Sequence, residues 1–337
     1  LAITLSLTQQ LDKAISVWRE LEKDLPNDVT ILSNIGMALT DLERYDEAIQ
    51  HLLRATQTAP SYANAHLNLS VAYFKKGDMA KARASNEQAL IHDPTCMDAR
   101  FNLAKILEDE RRYEDAARAY WEIFELDPTD TKGIKGMLYM QSYVYPADPY
   151  RQMEFLHRYV QQFETHRQNS KATIQLKPHQ PLRIGFVSAD FRQHPVGFFL
   201  EGVLEQIGVD PALSRQVRLI GYYNHTQQDD HTRRLRRSFD EWRQVDGWSD
   251  DRLAEQIRSD NIDILIDLSG YTDGYRLPVF VKKPAPLQVS WLGYWGSTGL
   301  SSVDYVLADP ISVPANEEHW FVEKLWKLPH LRYCFSI

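Results

Sequence analysis

The chain has 337 residues, enough for two or three domains at roughly 100–150 residues each. Hydrophobic residues make up 43% and charged residues 25%, which excludes a chain disordered throughout, and the net charge of -8 excludes a globally basic nucleic-acid binder. No apolar run approaches the roughly 18 residues of a membrane span, no basic segment leads into a secretory signal, and two distant cysteines, Cys96 and Cys334, give no disulfide framework, so a cytoplasmic setting is expected.

Pro26, Pro60, Pro94 and Pro128 recur every 34 residues, and Ala14, Ala48, Ala82 and Ala116 share that period. Two residue types in one phase mark an internal repeat. The blocks Asn27–Pro60, Ser61–Pro94 and Thr95–Pro128 follow a partial block ending at Pro26. Each block divides into two helical patterns. In the first full block, Leu32, Ile35 and Leu39 form one apolar face, and Ala48, Leu52 and Ala55 form the facing stripe. Alanine admits close approach of the paired helices, and proline both stops one pair and suits the first turn of the next. Turns fall at Asp41–Tyr45, Lys76–Asp78 and Asp109–Tyr113.

The pattern resembles the tetratricopeptide repeat. Gly36, Tyr73, Ala48, Ala82 and Pro94 stand at matching positions, while Ser70 and Ala104 replace glycine and His66 and Arg100 replace tryptophan. By the period, Leu1 falls inside the first helix of a repeat, and half a helical hairpin cannot bury its own face, so further sequence upstream is expected. Asn34, Asn68 and Asn102 share the phase as well. Asparagine is a mediocre helix former, and its amide both donates and accepts. The series therefore predicts a ladder of amides along the concave groove, pairing with the backbone of an extended acceptor polypeptide.

The period ends after Pro128, since the next position in phase is Gln162. Thr131–Tyr145 reads as helical. Tyr145-Pro-Ala-Asp-Pro149 breaks it, with Asp148 as the cap of a helix whose stripe is Met153, Leu156, Val160 and Phe163. Lys171–Pro181 reads as a linker and holds the expected boundary. Residues 1–130 are thus assigned to repeats, 131–180 to a helical connector and linker, and 181–337 to an α/β lobe.

In that lobe Leu182–Ser188, Val217–Tyr223, Ile262–Leu268, Leu287–Leu292 and Tyr305–Ala308 predict strands, and Val196–Ile207 and Ser249–Ser259 predict helices. The alternation implies a mostly parallel sheet covered on both faces, with ligands beyond the carboxyl ends of its strands. The segments to watch are then Asp190–Gly197, Asn224–Thr226, Gly270–Arg276 and Gly293–Gly299. Arg233-Arg-Leu-Arg-Arg237 is a basic run that reads as a solvated helix face. The dinucleotide glycine fingerprint, the phosphate loop and the HExxH and CxxC metal motifs are all missing from the sequence, so no metal is expected.

Three blocks carry a further resemblance: Val187-Ser-Ala-Asp-Phe-Arg-Gln-His-Pro195, Ile264-Leu-Ile-Asp-Leu-Ser-Gly-Tyr-Thr272 with Arg276, and Lys283-Pro-Ala-Pro-Leu-Gln-Val-Ser-Trp-Leu-Gly-Tyr294. In this order behind these repeats, they resemble the protein O-linked N-acetylglucosamine transferase family. The resemblance implies a tetratricopeptide α-superhelix followed by the first Rossmann-like lobe of a two-lobed GT-B glycosyltransferase. It implies transfer of a sugar from a UDP donor, UDP-N-acetylglucosamine, to Ser or Thr hydroxyls of acceptor proteins, with inversion and without metal or other cofactor. His194 then matches the family's active-site histidine, where an imidazole takes or orients the hydroxyl proton. Asp190 matches an aspartate that assists proton transfer. Thr272, after the strand end, is a donor- or acceptor-binding residue, Arg276 matches a basic residue near the donor phosphates, and Leu292 and Gly293 match backbone lining the sugar and acceptor site.

Asp273, Val196 and Tyr143 stand where animal members carry Lys, Thr and His, and Trp295 where many members have Pro, which makes the chain resemble bacterial-type members. The family holds the donor nucleotide mainly with a second lobe, which the sequence does not reach before Ile337. Residues 1–337 are accordingly expected to be inactive although the parent protein is an enzyme. Two alternatives stand beside this reading: an asparagine-directed glycosyltransferase of related fold, and a protein-interaction scaffold of repeats with a non-catalytic lobe. Neither nucleic acid nor membrane is expected as a partner.

Overall fold

The computed structural model describes residues 1–128, 130–144, 149–164 and 181–334. They form two compact units, Leu1–Asp148 and Pro149–Ile337. In the first unit the described residues build nine helices: α1 (Ala2–Leu7), α2 (Leu11–Asp24), α3 (Val29–Asp41), α4 (Tyr45–Thr58), α5 (Ala63–Lys76), α6 (Met79–His92), α7 (Met97–Asp109), α8 (Tyr113–Leu126) and α9 (Thr131–Gln141).

The repeat phase governs both packing and backbone. Ala14, Ala48, Ala82 and Ala116 have no exposed surface, as the requirement for close helix approach demands. Leu32, Ile35, Leu39 and Leu52 are equally enclosed. At Gly36 an added Cβ would press into the Leu52 side chain, which is why the first block has no side chain there. The turn inside each pair uses one left-handed residue in the same phase: Gln9, Glu43, Gly77 and Arg111, with φ of 60, 60, 90 and 60°. Such a residue ends a helix by turning its carbonyls toward the following N–H groups.

Within the stack α3 packs on α5, α5 on α7 and α7 on α9, while α4, α6 and α8 reach the next pair through its first helix. The first helices of the pairs therefore form the closer-packed, inner layer.

The second unit begins with α10 (Pro149–Glu164). The sheet domain follows: β1 (Leu182–Ser188), α11 (Pro195–Val209), α12 (Pro211–Gln216), β2 (Val217–Tyr223), α13 (Asp230–Arg237), β3 (Glu241–Gln244), α14 (Asp250–Ser259), β4 (Ile264–Asp267), α15 (Leu277–Val281), β5 (Leu287–Ser290), β6 (Tyr305–Ala308) and β7 (Lys324–Lys327). All seven strands are parallel, in the order β3-β2-β1-β4-β5-β6-β7. Phe186, Phe191, Leu200, Leu204, Leu219, Tyr223, Leu235 and Trp291 share one core cluster of this unit. Successive crossovers step outward from β1 through β2 to β3, and the sheet then resumes on the other side at β4. The switch point of the topology thus lies between β1 and β4, where open α/β sheets place ligands.

The sequence places a boundary within 171–181; by contact the chain divides between Asp148 and Pro149. The reason is that α10 buries Leu156 and Val160 against Gly299 of the sheet domain. Tyr145–Asp148, residues 171–180 and the side chain of Phe163 lie outside the described residues. Strands β3 and β7, unannounced by the sequence, are the two edges of the sheet, and their charged, alternating residues give no apolar run. The basic run lies on α13, anchored by fully buried Leu235, with Arg234 donating to Glu201 at 2.8 Å and Arg233 paired with Asp230.

Two glycines separate backbone strain from helix propensity, because an added Cβ meets nothing within 4 Å at either Gly77 or Gly208. Gly77→Ala should lower stability by about 1–2 kcal/mol, the cost of a side chain in the left-handed region. Gly208→Ala, on exposed helical backbone of α11, should raise it by up to ~1 kcal/mol. Urea unfolding of each variant gives the two signs directly, and equal signs would contradict this assignment.

Candidate active site

The exit of β1 is organised by a buried carboxylate. Asp190 is 4% exposed, and its N–H donates to the Ser188 Oγ at 2.9 Å. The Arg192 guanidinium stands 3.4 Å from Oδ1, and the His194 Nδ1 stands 3.7 Å from Oδ2. Burial pushes the carboxyl above its ordinary range, against the opposing pull of His194 and Arg192.

His194 has extended backbone and caps α11, with Pro195 at the first helical position, and its Nδ1 accepts the Val196 N–H at 3.3 Å. With the Nδ1 lone pair used in this way, the neutral ring carries its proton on Nε2. The ring therefore meets a ligand first as a donor. Accepting a proton at Nε2 requires the ring proton to move to Nδ1, on the side where Asp190 lies.

At the exit of β4, Asp267 is wholly buried and accepts the N–H of Ser269 at 3.1 Å and of Gly270 at 2.9 Å, and the Ser290 hydroxyl at 3.2 Å. Despite these donors, burial pushes its pKa up to about 6. The bonds fold the chain tightly into the Ser269–Arg276 loop. There the Thr272 hydroxyl donates to the Ser269 carbonyl at 2.7 Å, which fixes its rotamer and leaves its oxygen lone pairs unspent. The Gly274 carbonyl accepts from the Asn224 Nδ2 at 2.9 Å, and a Cβ on Gly274 would strike Ala189. Exits of β1, β2 and β4 are thereby in direct contact.

Arg276, expected near the donor phosphates, is held by its neighbours. Its guanidinium donates to the Asp250 Oδ1 at 2.6 Å, the Trp248 carbonyl at 2.7 Å and the Val245 carbonyl at 3.0 Å. The side chain is only 12% exposed, with its charge met by Asp250. It fastens the β3–α14 loop and does not stand open to a phosphate.

At the exit of β5, Leu292 has φ of 78°, and the Gly293 N–H donates to the Trp291 carbonyl at 3.0 Å. This is a γ-turn with a leucine in the left-handed region, a strained arrangement that burial of the Leu292 side chain holds in place. A Cβ on Gly293 would collide with the Leu268 carbonyl, and one on Gly270 would strike Tyr294. Strain and glycine together let this backbone lie flat on the β4 exit.

Asp190, His194, Thr272, Leu292 and Gly293 therefore belong to loops that leave one edge of the sheet and touch one another. The sequence pointed to the segment of Asn224 without giving that residue a role, and it passed over Asp267. Asp267 had a signal, a lone charge closing an apolar strand. Among the described residues, no group of three or more His, Cys, Asp or Glu side chains is placed to hold a metal ion.

In the repeats, Asn34, Asn68 and Asn102 are partly exposed residues of α3, α5 and α7, the inner layer. The Asn68 Nδ2 donates to the Ser33 Oγ at 3.0 Å, spending one of its donors on the neighbouring repeat. Among the described residues the Asn34 and Asn102 side chains have no such bond.

The family model of glycosyl transferase family 41 matches residues 152–335, and tetratricopeptide-repeat models match residues 36–77 and 67–131. The probable UDP-N-acetylglucosamine–peptide N-acetylglucosaminyltransferase SPINDLY of Solanum lycopersicum is 32% identical over 163 residues, 47% of this chain and 17% of the relative. The UDP-N-acetylglucosamine–peptide N-acetylglucosaminyltransferase of Caenorhabditis elegans is 33% identical over 155 residues, 45% of this chain and 13% of the relative. A solved mutant of the Thermobaculum terrenum O-GlcNAc transferase superposes with a TM-score of 0.70 and 27% identity, over 90% of this chain and 58% of that one. The chain thus spans a little over half of that structure and less than a fifth of the two curated relatives. Among the described residues no helix is long and apolar enough to cross a membrane.

The buried carboxyl of Asp267 makes a prediction with a definite sign. Its folded pKa of about 6 exceeds the ordinary 3.8, so between those values the folded protein keeps a proton that the unfolded chain has lost. Stability from this group is full below about pH 4 and falls as pH rises toward 6. Asp267→Asn does not titrate. The stability of wild type relative to this variant should therefore shrink by on the order of 3 kcal/mol between pH 4 and 7. Denaturant unfolding of both proteins across that range measures it, and a pH-independent difference would contradict a buried, protonatable carboxyl.

Proposed function

Because the chain belongs to glycosyl transferase family 41, we propose that the protein transfers N-acetylglucosamine from UDP-N-acetylglucosamine to Ser or Thr hydroxyls of acceptor polypeptides. The observation that carries the reading is the meeting of the β1, β4 and β5 exits at the switch point of a parallel sheet, with Asp190 and His194 on the first. The likeness to the Thermobaculum terrenum transferase supports it.

In the proposed reaction the acceptor oxygen forms a bond to the anomeric carbon while the bond from that carbon to the UDP oxygen breaks on the opposite face. The sugar is inverted, and no metal takes part. The hydroxyl gives up one proton. His194, with its proton on Nε2, first orients the reacting oxygens by donation. Exchange with solvent gives the tautomer protonated on Nδ1, facing Asp190 at 3.7 Å; its free Nε2 accepts the hydroxyl proton, and Asp190 steadies the imidazolium that results. The Thr272 oxygen and the flat Leu292–Gly293 backbone offer acceptors and close approach for the sugar. Arg276 takes no direct part.

The repeats present Asn34, Asn68 and Asn102 to the acceptor backbone. Two unpaired cysteines, Cys96 and Cys334, suit a reducing compartment such as the cytoplasm.

Two measurements check the proposal. In the intact protein, His194→Ala should reduce transfer of labelled sugar to a Ser/Thr peptide by about 10²–10⁴-fold. Undiminished transfer would remove His194 from the chemistry, and a wild-type protein that only binds peptide would favour the scaffold reading. In residues 1–337, replacing Asn34, Asn68 and Asn102 together with alanine should weaken peptide binding by calorimetry, at about 0.5–1.5 kcal/mol per lost hydrogen bond, with helical content unchanged. Unaltered affinity would place the acceptor elsewhere.

A further inference from the structure

α10 lies on the candidate site through one face. Residues 152, 156, 159 and 160 follow helical spacing and share a side. The Gln152 Nε2 donates to the Tyr294 hydroxyl at 3.3 Å, on the loop after β5. The Tyr159 and Tyr275 hydroxyls bond head to head at 2.7 Å, and the Tyr159 ring meets the Tyr271 ring edge-on at 5.9 Å, both on the loop after β4. Leu156 and Val160 close over Gly299, where a Cβ would lie 2.6 Å from Leu156. The two loops are also tied to each other, since the Tyr271 hydroxyl donates to the Thr298 carbonyl at 2.6 Å.

We propose that α10 is a clamp built into the site, with Gln152 and Tyr159 as positioning residues that hold the β4 and β5 exits against each other for sugar transfer. The inference rests on the function proposed above. Its physical basis is the choice of contacts. Leu156 and Val160 already supply apolar burial, which is non-directional. A glutamine and a pair of tyrosine hydroxyls add directional bonds, which fix distances. They fix them where it matters: Tyr294 lies two residues beyond the strained Leu292, and Tyr275 three beyond Thr272. An anchor there resists relaxation of the γ-turn and drift of the Thr272 loop, and small misplacements of site backbone are costly to catalysis.

Tyr159→Phe and Gln152→Leu remove the bonds and keep the volume. Hydrogen exchange on residues 1–337 should show the amides of 270–276 and 293–299 opening about tenfold more readily in either variant, with those of β1 and β2 unchanged. Unchanged loops, or a uniform loss of protection across the sheet domain, would overturn the clamp. In the intact protein, kcat should fall about tenfold with the peptide KM within about twofold, and Tyr159→Phe combined with Tyr275→Phe should be no worse than either alone, because they share one bond. A fall confined to KM, or additive losses, would likewise overturn it. Absence of transfer by the wild-type protein would count against the proposed function, and the exchange experiment would still decide the clamp.

Discussion

In a sheet whose strands all run parallel, every strand delivers the residues that follow it to the same edge. Here the order reverses between β1 and β4, so the two crossovers that flank the gap lead away from each other. The backbone beyond those strands is where such sheets place their ligands. Everything distinctive about the candidate site follows. His194 serves as the cap of α11 because that helix starts at that edge, and Gly274, Gly270 and Gly293 are glycines because exits of neighbouring strands meet there at van der Waals distance. At the left-handed Leu292 geometry prevailed over local preference, and its buried side chain supplies the restraint.

Buried charge in this region divides into two kinds. Arg276 is paired with Asp250 through its terminal nitrogens, and Asp267 accepts from three donors, so both shape loops. Asp190 differs: it is buried, pushed toward its neutral form, and faces a histidine at a distance too long for a hydrogen bond. Arg192 meets Asp190 at 3.4 Å, so the carboxyl is paired on one side and faces the ring on the other. On the proposed function that second face is what gives Asp190 its part.

The sequence conveyed what is periodic and what is apolar. The repeat phase located every helix pair, and the apolar runs placed β1, β2 and β6 to the residue. It did not convey edge strands such as Glu241–Gln244, which lack an inner face on one side and carry charge. Nor did it convey the allegiance of α10. An amphipathic stripe declares that a helix packs, not on what, and Gln152 and Tyr159 read as ordinary surface and stripe residues until Tyr294 and Tyr275 appear opposite them. Within the site, residue types in order identified the loops, yet the partners of Arg276 come from residues about 30 positions earlier, beyond the reach of any local pattern.

On the proposed function, the amide ladder sets a limit on how the repeats take part. Bonds from it to peptide backbone would be nearly blind to acceptor sequence, each contributing only about 0.5–1.5 kcal/mol net. Ordering each residue of a flexible peptide costs a comparable 1–2 kcal/mol. Asn68 has already given one donor to Ser33, which stiffens the stack and weakens that rung. A groove so balanced holds many acceptors loosely and none tightly. On the proposed function, the choice of hydroxyl then falls to the sheet domain, where a peptide that lingers is read by close approach to Leu292, Gly293 and His194. Tight sequence readout in the repeats would work against that division, because product would leave as slowly as substrate binds well.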